Sequence, residues 1–500
     1  RDRRAARHTP AGIMTNLAAM VDALREAGVL IRSPSAAPVV CSVAVDSRLV
    51  EPGSLYCAVR GTARDGHTFI TDALARGAAA VLVEDQVEHP VPTVVVRDGR
   101  AAAAIAAAVW YGWPGRAMTV VGVTGTNGKS TTVSFTRHLL NAGHDVGVLG
   151  TLGAYDGAGA SIAGWTGLTT PGPVELQATL AAMRDRGCTT VVMEASSHAL
   201  HQRRLVGLGF RAAVYTNLTH EHLDYHGDLD AYLAAKRLLS AQLVDGGVDV
   251  INADDPAWRG PGGRDGTRRM TFGLDPAADV RGSVTGRDAT GSDVDIQVSG
   301  SCVSVRVPIP GEFNVSNALA AFAASVAVGR DPATVGARLR TAPPVPGRME
   351  RLVTAAYTVL RDYAHTPDAY RRVLRTLRPI TSGRLIILFG CGGDRDRAKR
   401  AIMGEIAGRE ADLAVVTSDN PRHEDPETIL DDIERGLTGV AHLRITDRRE
   451  AIERAVRMLE PGDCLLLAGK GHETYQIVGN DKQPFDERHI VLSALARTAP

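Results

Sequence analysis

The chain has 500 residues, 44% of them apolar, with Lys+Arg 56 against Asp+Glu 56. That length exceeds what one hydrophobic core supports and calls for about two to four domains. Zero formal charge supplies no global field for gripping nucleic acid or an anionic membrane, so an anionic ligand must be held by local chemistry. The most apolar run, Ala101 to Trp113, is shorter than the ~20 residues of a spanning helix, and the basic stretch Arg1 to His8 is not followed by the apolar core of a secretory signal. Cys41, Cys57, Cys188, Cys302, Cys391 and Cys464 are scattered without a Cys-x-x-Cys pair, which fits a reducing cytoplasm.

In chain order, the patterning predicts a helix over Met14–Ala27 and short strands near Val39–Val45 and Leu55–Val59. A helix over His67–Arg76, strands at Ala80–Val83 and Thr93–Val96 and an alanine-rich helix ending at Trp110 follow. After the breaker Trp113-Pro114-Gly115, residues Met118 to Arg137 read as strand, glycine turn and helix. Strands near Thr190–Glu194 and Ala212–Asn217 and a helix over Asp230–Leu239 continue an alternation suited to a parallel sheet. Val280–Pro310 alternates apolar residues with turn glycines, as an antiparallel excursion does, before a helix over Asn314–Gly329. Pro343-Pro344-Val345-Pro346-Gly347 is the clearest linker. Beyond it, apolar runs Leu385–Phe389, Leu413–Thr417 and Leu465–Ala468 alternate with helical stretches after Pro367, Arg397, Pro426 and Arg449. The expected fold is α/β in three domains: a small N-terminal α/β domain (1–113), a central P-loop ATPase domain with a mostly parallel sheet (114–345) and a C-terminal Rossmann-like domain (346–500).

The turn Gly125-Thr126-Asn127-Gly128-Lys129-Ser130-Thr131 is a phosphate-binding loop by its own chemistry. Glycines let backbone N–H groups and the helix N-terminus converge on an anion, Lys129 reaches the β/γ-phosphates of ATP, and Ser130 offers an oxygen to Mg²⁺. Val123 stands where the general pattern has its first glycine. Glu194, ending an apolar strand, is a candidate Mg²⁺ ligand beside the triphosphate. The stretch Thr216-Asn217-Leu218-Thr219-His220-Glu221-His222-Leu223-Asp224-Tyr225-His226 suits zinc by ligand type, but the nearby phosphate loop argues for magnesium.

These motifs resemble the Mur ligase family, ATP-dependent amide-forming enzymes of peptidoglycan precursor synthesis. The resemblance implies that His222 helps hold magnesium, with Glu221 where the family has aspartate. It also implies that Lys236, in Ala-Ala-Lys-Arg-Leu-Leu, is carbamylated to place the metal, so that the implied magnesium set is Ser130, Glu194, His222 and Lys236. Asn317 is implied near the adenine, with Arg348 and Asp362 approaching the nucleotide. Gly390 to Arg397, Asp419-Asn420-Pro421-Arg422 and Gly469-Lys470-Gly471-His472-Glu473 resemble the diaminopimelate-adding branch of the family. There Arg395 and Arg422 would grip the distal carboxylate while Asp419 and Glu473 pair with ammonium, with Asn420, Pro421 and Gly469 completing the site. Val45, Ser47, Thr62, Ala63 and Arg64 resemble the uridine-diphosphate site, and Thr169, Thr170, Ser196, Gln202 and Arg204 the muramoyl-dipeptide site, with Leu168 where a relative has asparagine. The implied function is ATP-dependent ligation of diaminopimelate to a UDP-muramoyl-dipeptide by a cytoplasmic monomer, with no nucleic-acid or membrane partner. A folylpolyglutamate synthase-like ligase and a non-catalytic nucleotide-binding homologue are the alternatives.

Overall fold

The computed structural model describes residues 15–62, 64–260 and 266–498, so the expectations for Arg1 to Met14 and for Ala63 fall outside it. The chain divides into two compact units, Arg1–Val280 with Ala320–Val335, and Arg281–Leu319 with Gly336–Pro500.

Besides the short antiparallel pair of Thr15–Asn16 with Val39–Val40, two larger sheets matter in the first unit. The N-terminal one runs Leu30–Arg32, Thr93–Val96, Ala80–Val83, Ser54–Cys57, Ser42–Ala44, parallel throughout except at the Leu30–Arg32 edge. Its three inner strands are buried at every residue, which is why they read as continuous apolar runs rather than as alternation. The helix Gly99–Trp110 starts where the Asp98 side chain accepts from Ala101 N. Ala102, Ala103, Ala104, Ala106, Ala107 and Ala108 are all 0% exposed, because a helix of small side chains can pack closely on two neighbours. One neighbour is its own sheet; the other is the helix Pro173–Asp185, whose Val174 and Ala181 join the same apolar cluster.

The central sheet orders its strands Gly153–Tyr155, Val146–Gly150, Thr190–Glu194, Thr119–Thr124, Phe210–Tyr215, Leu243–Asn252, Arg268–Gly273. Only the first pair is antiparallel. Thr119–Thr124 lies between Thr190–Glu194 and Phe210–Tyr215, so the turn after Thr124, the side chain of Glu194 and the segment from Thr216 all emerge at one carboxyl edge, where open α/β sheets bind ligands.

Val280–Asp288, Gly291–Val298 and Ser301–Val307 are consecutive neighbouring strands, the last two antiparallel with Val294 opposite Val305. In the second unit a six-stranded sheet runs Glu350–Thr354, Thr358–Asp362, Cys464–Ala468, Leu385–Phe389, Leu413–Val416, His442–Arg444, parallel apart from its first pair. Four adjacent parallel strands therefore end at Asp362, Ala468, Phe389 and Val416, and each feeds one of the polar motifs.

Some boundaries differ from expectation for identifiable reasons. The first helix begins at Leu17 because Asn16 accepts from Ala18 N and caps it there. The predicted helix over His67–Arg76 is a 3-10 turn, Gly66–Phe69, followed by Ile70–Ala75. His67 is committed to bracing the loop: its backbone N donates to Asp65 Oδ1 (3.0 Å), its ring Nδ1 meets the same oxygen at 2.7 Å, and its Nε2 accepts from Glu84 N at 3.0 Å.

Candidate active site

The helix Lys129–Leu140 starts after Gly128, whose φ of +85° suits glycine alone among common residues. Gly125 is required for a different reason. A Cβ there would lie 1.9 Å from Thr216 Oγ1, the hydroxyl that donates to Asn127 O at 2.7 Å. The Asn217 amide completes this bracket, donating to Asn127 O (3.0 Å) and accepting from Asn127 N (2.9 Å). Lys129 Nζ folds back over the loop onto Gly125 O (2.9 Å) and Thr126 O (2.8 Å).

Glu194 is 1% exposed and densely held. Its Oε1 accepts from Ser130 Oγ at 2.9 Å and from Thr151 N at 2.8 Å, and its Oε2 from Thr151 Oγ1 at 3.2 Å. Thr151 in turn meets Thr169 Oγ1 at 3.0 Å, while Thr170 Oγ1 donates to Glu194 O at 2.8 Å and accepts from Ser196 N at 3.1 Å. Thr151 was not foreseen, since a threonine following a strand carries no local signal.

Lys236, 1% exposed, donates to Gly125 O at 2.8 Å with its Nζ 4.2 Å from the Tyr232 ring centre. Burial, reinforced by the charge of Lys129, pushes its ammonium well below the ordinary lysine range. His222 is exposed with φ +58° and begins the short helix Leu223–His226; its ring lies 4.7 Å from that of His198. Desolvation and the neighbouring His222 and His226 push His198 down to about 4. Among the described residues, no three His, Cys, Asp or Glu side chains converge as a metal cage.

Away from the loop, a cavity of about 500 Å³ is lined by Val45, Ser47, Thr62, Arg64, Gln202 and Arg204, all singled out from sequence. Asp46, between Val45 and Ser47, shares the wall with Arg100 and Tyr56, which were not foreseen. Thr169, Thr170 and Ser196 are not part of that lining and belong to the Glu194 network, although Arg204 joins the two by donating to Thr170 O at 2.8 Å. Leu168 is 47% exposed.

The second unit gathers its motif residues around one buried amide. Asn420, 5% exposed, donates through Nδ2 to Glu473 Oε2 at 2.9 Å. Its Oδ1 accepts from Lys470 Nζ and from Ile477 N, both at 2.9 Å. Burial raises the Glu473 carboxyl above its ordinary range. Gly469 is needed where it stands, since a Cβ would lie 2.5 Å from Asp419 Oδ2. Arg422, at φ +53°, is half-buried and donates to Gly393 O at 2.7 Å, whereas Arg395 is exposed and donates to Asp394 O at 3.0 Å. Among the described residues neither arginine has a carboxylate partner. Pro421 is buried between Asn420 and Arg422. Asp362 is 7% exposed and accepts from Met349 N and Ala364 N, both at 2.7 Å, so its carboxylate braces the turn that carries Arg348. The Arg348 guanidinium lies 4.7 Å from the Tyr363 ring centre, and Asn317 donates to Asn314 Oδ1 at 3.2 Å.

Three domain families match in sequence: the Mur ligase family catalytic domain over residues 39–111, the Mur ligase middle domain over 123–325 and the Mur ligase glutamate ligase domain over 347–471. The chain belongs to the Mur ligase family. Among Mur ligase relatives, the UDP-N-acetylmuramoyl-L-alanyl-D-glutamate--2,6-diaminopimelate ligase of Chlorobaculum tepidum is 43% identical over 92% of this chain and 93% of that one. The enzyme of the same name from Thermosynechococcus vestitus is 44% identical over 91% and 93%. A solved structure of a ligase of that name matches with TM-score 0.68 at 32% identity, covering 98% of this chain and 100% of the other. Mycobacterium tuberculosis folylpolyglutamate synthase complexed with ADP matches with TM-score 0.59 at 20% identity over 80% of this chain and 93% of that one, a likeness of fold alone.

Proposed function

We propose that the chain is an ATP-dependent amide ligase that joins 2,6-diaminopimelate to the D-glutamate γ-carboxylate of UDP-N-acetylmuramoyl-L-alanyl-D-glutamate, a step in building peptidoglycan precursors. The observation that carries the reading is Ser130, first turn of the phosphate-loop helix, donating to the buried Glu194 at the end of the next strand. A phosphate loop and an acid on adjacent parallel strands form the arrangement that nucleotide triphosphates need. The relatives of 41–44% identity carry the substrate assignment.

A carboxylate resists attack by an amine because it carries negative charge and has no good leaving group. Transfer of the ATP γ-phosphoryl group to it gives an acyl phosphate and ADP; the diaminopimelate amine then adds to the acyl carbon and phosphate departs with the bonding electrons. Gly125 to Thr131 would cradle the triphosphate by backbone N–H groups, and Lys129 would exchange its carbonyl partners for phosphate oxygens. Ser130 and Glu194 present the hard oxygens that Mg²⁺ prefers, with His222 and Lys236 completing the proposed set. The lack of a three-residue protein cage among the described residues suits an ion that takes most of its ligands from phosphate and water. Bound there, magnesium supplies neutralisation of triphosphate charge. Lys236, buried and favouring its neutral amine, is suited to add CO₂ and become a carbamate with loss of one proton. Asn317, Arg348 and Asp362 would serve the nucleotide by the family resemblance.

The cavity residues Val45, Ser47, Thr62 and Arg64 would take the uridine diphosphate, with Ala63 between them in sequence, and Gln202 and Arg204, with Thr169, Thr170 and Ser196, the dipeptide. Asp419 and Glu473 would receive diaminopimelate's ammonium, and Arg395 and Arg422, with Asn420, Pro421 and Gly469, its distal carboxylate. All substrates are small molecules, and the six free cysteines favour a reducing compartment such as the cytoplasm. Phosphate release from ATP, with the UDP-muramoyl-dipeptide and either meso-diaminopimelate, its LL isomer or lysine, tests the reading. Release with a diaminopimelate isomer and not with lysine is expected; equal rates with lysine would refute the substrate assignment.

A further inference from the structure

The hydroxyl of Tyr225 stands at the head of a hydrogen-bond chain that ends in the wall of the 500 Å³ cavity. We infer that Tyr225 is a positioning residue for substrate binding: its hydroxyl tethers the Gln202 amide, and that amide holds the Arg204 guanidinium in place. The inference rests on reading this cavity as the site of the UDP-muramoyl-dipeptide.

A phenol has one proton to give and lone pairs to accept with. Gln202 Nε2, which can only donate, lies 3.0 Å from Tyr225 Oη, so Tyr225 accepts there; His201 Nδ1 meets the same oxygen at 3.0 Å. At its other end Gln202 faces Arg204, which has nothing but donors. Arg204 Nε and NH2 reach Gln202 Oε1 at 3.2 and 2.7 Å. Arg204 fixes the orientation of the amide, since turning it over would set an NH₂ group against a guanidinium; Tyr225, able to accept, receives the Nε2 proton and tethers the far end of the side chain.

The consequence for Arg204 can be counted. A guanidinium has five N–H donors. Gln202 Oε1 takes one from Nε and one from NH2, and Thr170 O takes one from NH1 at 2.8 Å. Two remain, one on each terminal nitrogen, for oxygens of a ligand in the cavity that Arg204 lines. Tyr225 is not part of that lining. Its ring is fixed independently of the hydroxyl, with centroids 4.2 Å from His198 and 4.8 Å from His226. Tyr225→Phe therefore removes the hydrogen-bond function and leaves the packing.

The test is a double-mutant cycle on the full chain with Tyr225→Phe, Gln202→Ala and the double variant, following KM and kcat for the UDP-muramoyl-dipeptide and KM for ATP. Tyr225→Phe is expected to raise KM for the muramoyl substrate about five- to tenfold, the loss of one hydrogen bond, while kcat and KM for ATP stay within about twofold. In the Gln202→Ala background the same change should add nothing. An additive effect in the double variant, or an equal rise in KM for ATP, would overturn the relay. A crystal structure of Tyr225→Phe reads the relay without any substrate: the Gln202 amide turned away from Arg204 supports it, and an undisturbed Gln202–Arg204 pair refutes it. Wild-type protein that fails to turn over the muramoyl substrate would count against the functional reading alone.

Discussion

Replacing Asn420 by aspartate changes one atom group at the centre of the second unit's motif cluster and has a calculable result. The wild-type amide donates to Glu473 Oε2 at 2.9 Å. Asn420→Asp substitutes an acceptor for that donor and sets two carboxylates face to face at the same distance. With an effective dielectric of about 20, two like charges so placed repel by about 6 kcal/mol, part of which is offset by Lys470 Nζ, 2.9 Å from the other oxygen. Loss of the hydrogen bond to a charged group adds about 1.5–3 kcal/mol. Repulsion is the larger effect, so the pair retains a shared proton instead of ionising twice, and burial already biases Glu473 toward its protonated form. The sign follows. At low pH the shared proton restores a bridge and leaves one net negative charge, as in the wild type; as pH rises through the raised pKa the proton is lost and the pair separates. Phosphate release at varied diaminopimelate, between about pH 6 and pH 9, reads this directly. The ratio of variant to wild-type KM should be a few-fold at the acid end and climb toward about 100-fold at the alkaline end, with KM for ATP unchanged. A ratio that stays flat across the range would refute the claim that Asn420 acts through Glu473.

Lys129→Ala should abolish phosphate release while leaving the denaturant midpoint near wild type, since water can replace the contacts that Lys129 makes with the loop carbonyls Gly125 O and Thr126 O; retained turnover would exclude it from phosphoryl transfer. Arg422→Ala should raise KM for diaminopimelate about 10- to 100-fold with KM for ATP unmoved; a change confined to ATP would reassign it. Arg448, whose guanidinium donates to Glu487 Oε1 at 2.7 and 2.9 Å and to Ala468 O at 2.9 Å, is fully buried with its partner. Arg448→Met should destabilise by about 3–5 kcal/mol in urea unfolding by stranding Glu487, and Arg448→Met/Glu487→Leu should recover most of it. Hydrogen bonding from Arg400 draws the Glu424 carboxyl down to about 2 from 4.5, so its contribution is complete above the unfolded value and disappears as pH falls toward the folded one. The melting temperature of wild type should therefore drop more steeply over that window than that of Glu424→Gln.

Legibility in the sequence followed how local each feature is. The strands Ala80–Val83, Thr93–Val96, Thr190–Glu194 and Leu385–Phe389 were readable to the residue, because each is an apolar run buried on both faces and bounded by turn residues. The phosphate loop was readable because its glycines, lysine and serine are contiguous. The half-buried state of Arg422 and the exposure of Arg395 were not, because burial depends on what distant segments cover. The amino acids alone settled the α/β class and pointed to the chemistry that short motifs would carry, since both depend on neighbours a few positions apart. Tertiary structure alone decided that Thr151 clamps Glu194, that Lys470 orients Asn420 and that Tyr225 reaches Arg204 through Gln202. Those contacts depend on which strand ends the parallel sheets bring to one edge, and no pattern in the chain encodes which distant side chain will meet a given donor.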